Sequence, residues 1–89
     1  MPTYHLVIKG EVQGVFYRAT AKKVADELGV TGWVKNTRGN EVEALATGTE
    51  EQLSEFIAWC KKGPSRARVT EVTVEKEKEI KFEDFSVRR

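Results

Sequence analysis

The sequence predicts an α+β sandwich with elements in the order β-α-β-β-α-β, an antiparallel sheet carrying both helices on one face. Three observations predict it. Short segments alternate apolar and polar residues with period two. Two longer segments repeat apolar residues with helical period. Glycine-containing turns or helix stops separate them. The chain has 89 residues, 39% hydrophobic and 33% charged, which suits one ordered domain, expected over residues 1–89. A domain of this size buries only about 60–65% of the surface its unfolded chain exposes, so its core has little redundancy.

The elements follow in order. Tyr4 to Val12 alternates, with Tyr4, Leu6 and Ile8 on one face and His5, Val7 and Lys9 on the other, the pattern of a strand. The loop Gly10-Glu11-Val12-Gln13-Gly14 leads into a helix whose stripe is Ala21, Val24, Ala25 and Leu28, ended by Gly29. Gly32 to Thr37 and Glu41 to Gly48 read as two strands joined through Arg38-Gly39-Asn40, a good hairpin turn. Thr49 caps a second helix, with Gln52 three residues on as its capping-box partner. Leu53, Phe56, Ile57 and Cys60 form that helix's apolar stripe, and Gly63-Pro64 stops it. Arg68 to Lys76 is a further strand, carrying Val69, Val72 and Val74, and Phe82 to Arg88 a last one, with Phe85 and Val87 inward. The order leaves room for one short additional strand near the C-terminus. This is the ferredoxin-like, split β-α-β arrangement.

Charge excludes some functions. Fifteen basic and fourteen acidic side chains leave a net charge of +1, which argues against binding nucleic acid by bulk phosphate neutralisation. Cys60 is the only cysteine, so neither an internal disulfide nor a cysteine metal cluster is available, and a reducing cytoplasm is expected. The apolar run Leu6-Val7-Ile8 stops after three residues; neither a signal peptide nor a membrane helix is expected.

Local placement is more informative. No acidic residue lies between Val12 and Ala25, while Arg18, Lys22 and Lys23 occupy the start of the first helix. A cation there opposes the helix dipole by about 0.3–1 kcal/mol, and a bound anion would reverse that penalty. Gly14 can take backbone angles that let the N–H groups of Gln13, Gly14, Val15, Phe16, Tyr17 and Arg18 converge on a phosphate-like group. The Arg18 guanidinium is a planar fork matching a tetrahedral oxyanion. The alternative is a simple turn with a solvated arginine. Nucleotide-binding glycine motifs are absent. Asn36, at the end of a strand, reads on its own as a turn residue, although its carboxamide can also orient a water. His5, Cys60, Trp33 and Tyr4 read as structural.

These residues carry a resemblance. Gly10-Glu11-Val12-Gln13-Gly14-Val15-Phe16-Tyr17-Arg18 resembles the first signature of the acylphosphatase family. Gly32-Trp33-Val34-Lys35-Asn36, with Val42 and Gly48 downstream, resembles the second. Gly63-Pro64 and Ala67-Arg68-Val69 resemble the family's lead into the fourth strand. The resemblance implies hydrolysis of acyl phosphates to a carboxylate and inorganic phosphate. It gives Arg18 and the loop amides the phosphate and Asn36 the attacking water, with no cofactor or metal. The expected partner is thus a small acyl phosphate, not nucleic acid or membrane, and the expected state a monomer. A same-topology RNA-binding domain would carry an aromatic motif where this chain reads Glu41-Val42-Glu43-Ala44-Leu45-Ala46. A phosphate-binding domain without turnover is the other alternative. Two positions depart from the family pattern. Tyr17 stands where Phe is usual; the ring can pack similarly, but its hydroxyl needs a partner or an exit to solvent. Asn40 replaces a glycine before the third strand, which puts the turn and the tilt of Asn36 in question.

Overall fold

The computed structural model describes residues 1–89. Its elements are β1 (Thr3–Glu11), α1 (Tyr17–Leu28), β2 (Thr31–Asn36), β3 (Val42–Thr47), α2 (Glu50–Lys62), β4 (Arg68–Glu77) and β5 (Phe85–Val87). They form one five-stranded sheet in the order β4-β1-β3-β2-β5. The β1–β3, β1–β4 and β2–β3 pairs are antiparallel, as expected. The β2–β5 pair is parallel, so the sheet is mixed. No helix is long and apolar enough to cross a membrane.

Register explains the core. Leu6 and Ile8 stand opposite Ala44 and Val42, and Val34 stands opposite Ala44. These residues share the face against which the helices bury Ala21, Ala25, Leu53, Phe56 and Cys60. Alanine at 21, 25, 44 and 46 lets helix and sheet approach closely, while Phe56 supplies volume and meets Phe85 edge-on at 5.5 Å. That contact seats β5, a strand too short to hold its place by backbone pairing alone.

The capping predicted for α2 is present in full. Thr49 Oγ1 accepts from Gln52 N at 3.1 Å, and Gln52 Oε1 accepts from Thr49 N at 2.8 Å. Its other end shows why Tyr17 replaces Phe. The Cys60 carbonyl would ordinarily accept from the N–H four residues on, but residue 64 is proline. The Tyr17 hydroxyl donates to that carbonyl instead, at 2.7 Å, from a side chain only 2% exposed. Burial raises the Tyr17 pKa and pushes the Cys60 thiol up to about 12, so both stay neutral. Tyr17→Phe should destabilise the fold by about 1–2 kcal/mol, because the carbonyl is then left unpaired. Urea denaturation with an unchanged m-value would register it.

The last strand differs from expectation. Phe82 to Asp84 do not join it; the chain bends there before β5. Phe85 is buried, but Val87 is 40% exposed, because it lies beyond the cover of the helices. Asn40 adopts φ 64°, the left-handed conformation that asparagine tolerates among non-glycine residues. The hairpin turn therefore keeps a left-handed position without glycine.

Candidate active site

The loop between β1 and α1 begins at an irregularity. The β1–β4 register shifts between Lys9 and Gly10. Gly10 has φ 127°, and a Cβ there would overlap the Arg68 carbonyl, so only glycine lets the strands stay paired while the loop turns away. Beyond it, φ is 74° at Gly14 and 64° at Phe16, while Val15 between them and Tyr17 after them keep negative φ. Alternating handedness of this kind turns successive N–H groups toward one side, the backbone geometry of a nest that can take an anion. The first bond into α1 is Thr20 N to Phe16 O at 3.1 Å. The N–H groups of Tyr17, Arg18 and Ala19 thus have no partner within the helix. No side chain caps this end, and its first turn has no acid.

One cavity of about 330 Å³ lies here, lined by Val12, Gly14, Phe16, Tyr17, Arg18, Ala19, Asn36 and Val87. Of the residues predicted for the site, Gly14, Phe16, Tyr17, Arg18 and Asn36 meet in it. Gln13 and Val15 do not line it; both face a neighbouring cleft with Gly10, Asn40 and Arg66. Arg18 is the only charged lining residue and takes part in no ion pair. Its Nη1 donates to the Arg88 carbonyl at 3.0 Å, which aims the guanidinium and leaves its remaining donors free.

Asn36 stands opposite Val42 at the end of β2, on the same face as Val34. Its Oδ1 is buried and has no hydrogen-bond partner. A buried unpaired carbonyl oxygen costs about 1–3 kcal/mol, so a turn-forming role alone does not account for its placement.

Gln13 has a different part. Its Nε2 donates to the carbonyls of Thr37 at 2.9 Å and Glu41 at 2.7 Å. The hairpin it grips is already closed by Thr37 N to Glu41 O at 2.8 Å. Gln13 therefore ties the Arg18 loop to the segment directly after Asn36. Gln13→Glu keeps the shape but removes both donors; kcat should fall about tenfold through misalignment, as read by steady-state turnover of an acyl phosphate.

Val12, Ala19, Val87 and the Arg88 carbonyl are site components that sequence reasoning missed. The only available signal was the alternation that puts Val87 on the same face as Phe85. Trp33 and His5 lie away from this cavity. Trp33 packs beneath Lys35 and Arg88, and His5 Nε2 is 2.6 Å from Glu43 Oε2. That hydrogen bond, aided by Lys35, holds the Glu43 carboxyl below its usual range.

A family model described as Acylphosphatase matches residues 4–87. The chain is 44% identical to an acylphosphatase of Methylococcus capsulatus, over 100% of this chain and 98% of that protein. It is 48% identical to one of Geobacter sulfurreducens, over 93% and 92% respectively. The crystal structure of acylphosphatase from Bacillus subtilis superposes with a TM-score of 0.96 at 33% identity, over 100% of both chains.

Proposed function

The chain belongs to the acylphosphatase family and hydrolyses acyl phosphates, and from that premise we propose a division of labour among its cavity residues. Arg18 and the N–H groups of Gly14, Phe16, Tyr17 and Arg18 hold the phosphate; Asn36 holds the water. The observation that carries this reading is the unpartnered, buried Asn36 Oδ1 at a cavity whose single charge is Arg18. A phosphate satisfies the cation and the loop donors, and a water O–H satisfies the oxygen.

The reaction then needs little else. The water oxygen, oriented by its hydrogen bond to Asn36 Oδ1, attacks phosphorus. The bond from phosphorus to the acyl oxygen breaks, and its electron pair leaves on the carboxylate. The water's proton passes to a phosphate oxygen, so an acyl phosphate dianion and water become a carboxylate and dihydrogen phosphate. A carboxylate is a good leaving group that needs no protonation, so positioning and charge stabilisation suffice. The loop donors and Arg18 are already oriented, and little reorganisation accompanies the reaction.

Turnover of benzoyl phosphate should persist in EDTA and be inhibited competitively by inorganic phosphate. An inactive, well-folded protein, or activity that requires an added metal, would contradict this reading. The protein acts in it as a cytoplasmic monomer whose partner is a small molecule.

A further inference from the structure

The phosphate end accounts for Arg18, Asn36 and the loop N–H groups, but not for the rest of the cavity wall. Val12, Phe16, Ala19 and Val87 also line it. Phe16 is 72% exposed and Val87 40% exposed, and they are two of only five large hydrophobic side chains exposed anywhere in the chain. The other three, Met1, Val74 and Ile80, do not line this cavity. Phe16 is also unusual in its backbone. It sits at φ 64° and ψ 23° as the N-cap of α1, a left-handed conformation costing an aromatic residue roughly 1–2 kcal/mol. Its side chain supplies no cap bond and stays largely in solvent. Neither local structure nor core packing explains a phenyl ring there.

We propose that Phe16 and Val87 form an acyl-group subsite, selecting acyl phosphates whose carbonyl carries an apolar, aromatic or branched substituent. This deepens the reading of the site as an acylphosphatase centre and rests on it. The substrate has two unlike ends. Once the phosphate faces Arg18 and the nest, the acyl group is left to the apolar part of the same wall. At about 330 Å³ the cavity is at the small end of ligand pockets, so a substituent larger than methyl extends into the mouth, where Phe16 and Val87 stand. No second cation lines the cavity, so an acyl group bearing its own carboxylate finds no counter-charge. Val87 is placed for this by β5: it pairs with Val34, two residues before Asn36 on β2.

The test compares kcat/KM for benzoyl phosphate and acetyl phosphate in the wild type, Phe16→Gly and Val87→Ser. Glycine accepts the left-handed backbone, so Phe16→Gly should fold. In both variants the benzoyl-to-acetyl ratio of kcat/KM should fall, by about tenfold in Phe16→Gly. A ratio unchanged from wild type in both variants overturns the subsite while leaving the enzyme reading intact. A wild type that hydrolyses neither substrate defeats the enzyme reading itself. If Phe16→Gly damages the loop and lowers both substrates alike, Val87→Ser decides: a lowered ratio supports the subsite, an unchanged one overturns it.

Discussion

Arg18→Ala should lower kcat/KM for an acyl phosphate by about 10³-fold and abolish competitive inhibition by inorganic phosphate. The magnitude follows from removing a preorganised donor and the only charge lining the cavity from a site where negative charge is held throughout the reaction. The loop N–H groups remain, so some catalysis should survive. The fold should survive too. Arg18 contributes one exposed hydrogen bond, to the Arg88 carbonyl, while its positive charge opposes the dipole of α1. Arg18→Lys keeps the charge but not the planar fork, and should also lose most activity. Kinetics with and without phosphate, beside a thermal melt, would check these statements. A variant that unfolds, or that keeps phosphate inhibition, would show that Arg18 does something else.

Asn36→Ala should lower kcat about 10²-fold while leaving inhibition by phosphate in place. The two variants thus separate binding of the phosphate from delivery of the water. Stability adds an independent check. Asn36 Oδ1 is buried without a partner, beside the wholly buried Val42 with which it pairs in register. Replacing it by leucine, which has the same branched shape, removes that unsatisfied oxygen. Asn36→Leu should therefore be inactive yet more stable, by about 1 kcal/mol, visible as a raised Tm. Lower stability would mean that Oδ1 serves the fold rather than the water.

What was legible in the sequence divides by range. Helix ends are local matters, so Thr49 with Gln52, Gly29 and Gly63 could be assigned from spacing. The loop before α1 stood out as a candidate anion site for a similar reason: its missing acids and its arginine lie within one short segment. Contacts that depend on chain pairing were not. The Gln13 side chain serves a hairpin more than twenty residues away, and nothing near Gln13 indicates it. The partner of the Tyr17 hydroxyl depends on a proline in another helix's stop. β5 has three residues and no pattern that distinguishes a parallel from an antiparallel neighbour, so the sheet read as wholly antiparallel. Val87 follows the inward alternation of Phe85, but whether such a position is covered depends on where the helices end. Asn36 lacked a decisive local signal as well, since its unpaired oxygen exists only once β2, β3 and α1 have packed.

The short strand β5 carries a consequence of its own. It supplies the Val87 wall, and Arg88 directly after it offers the carbonyl that aims Arg18, yet it is an edge strand paired on one side only. Edge segments of this kind can detach with a free energy well below that of unfolding the whole domain. A molecule with β5 detached retains most of its sheet and both helices, so spectroscopic probes of secondary structure would count it as native. As an enzyme it would be impaired. On warming, catalytic output should therefore decline before the cooperative melt begins. The working temperature range is then governed by the fastening of these few residues, and strengthening that edge would extend it without altering the core.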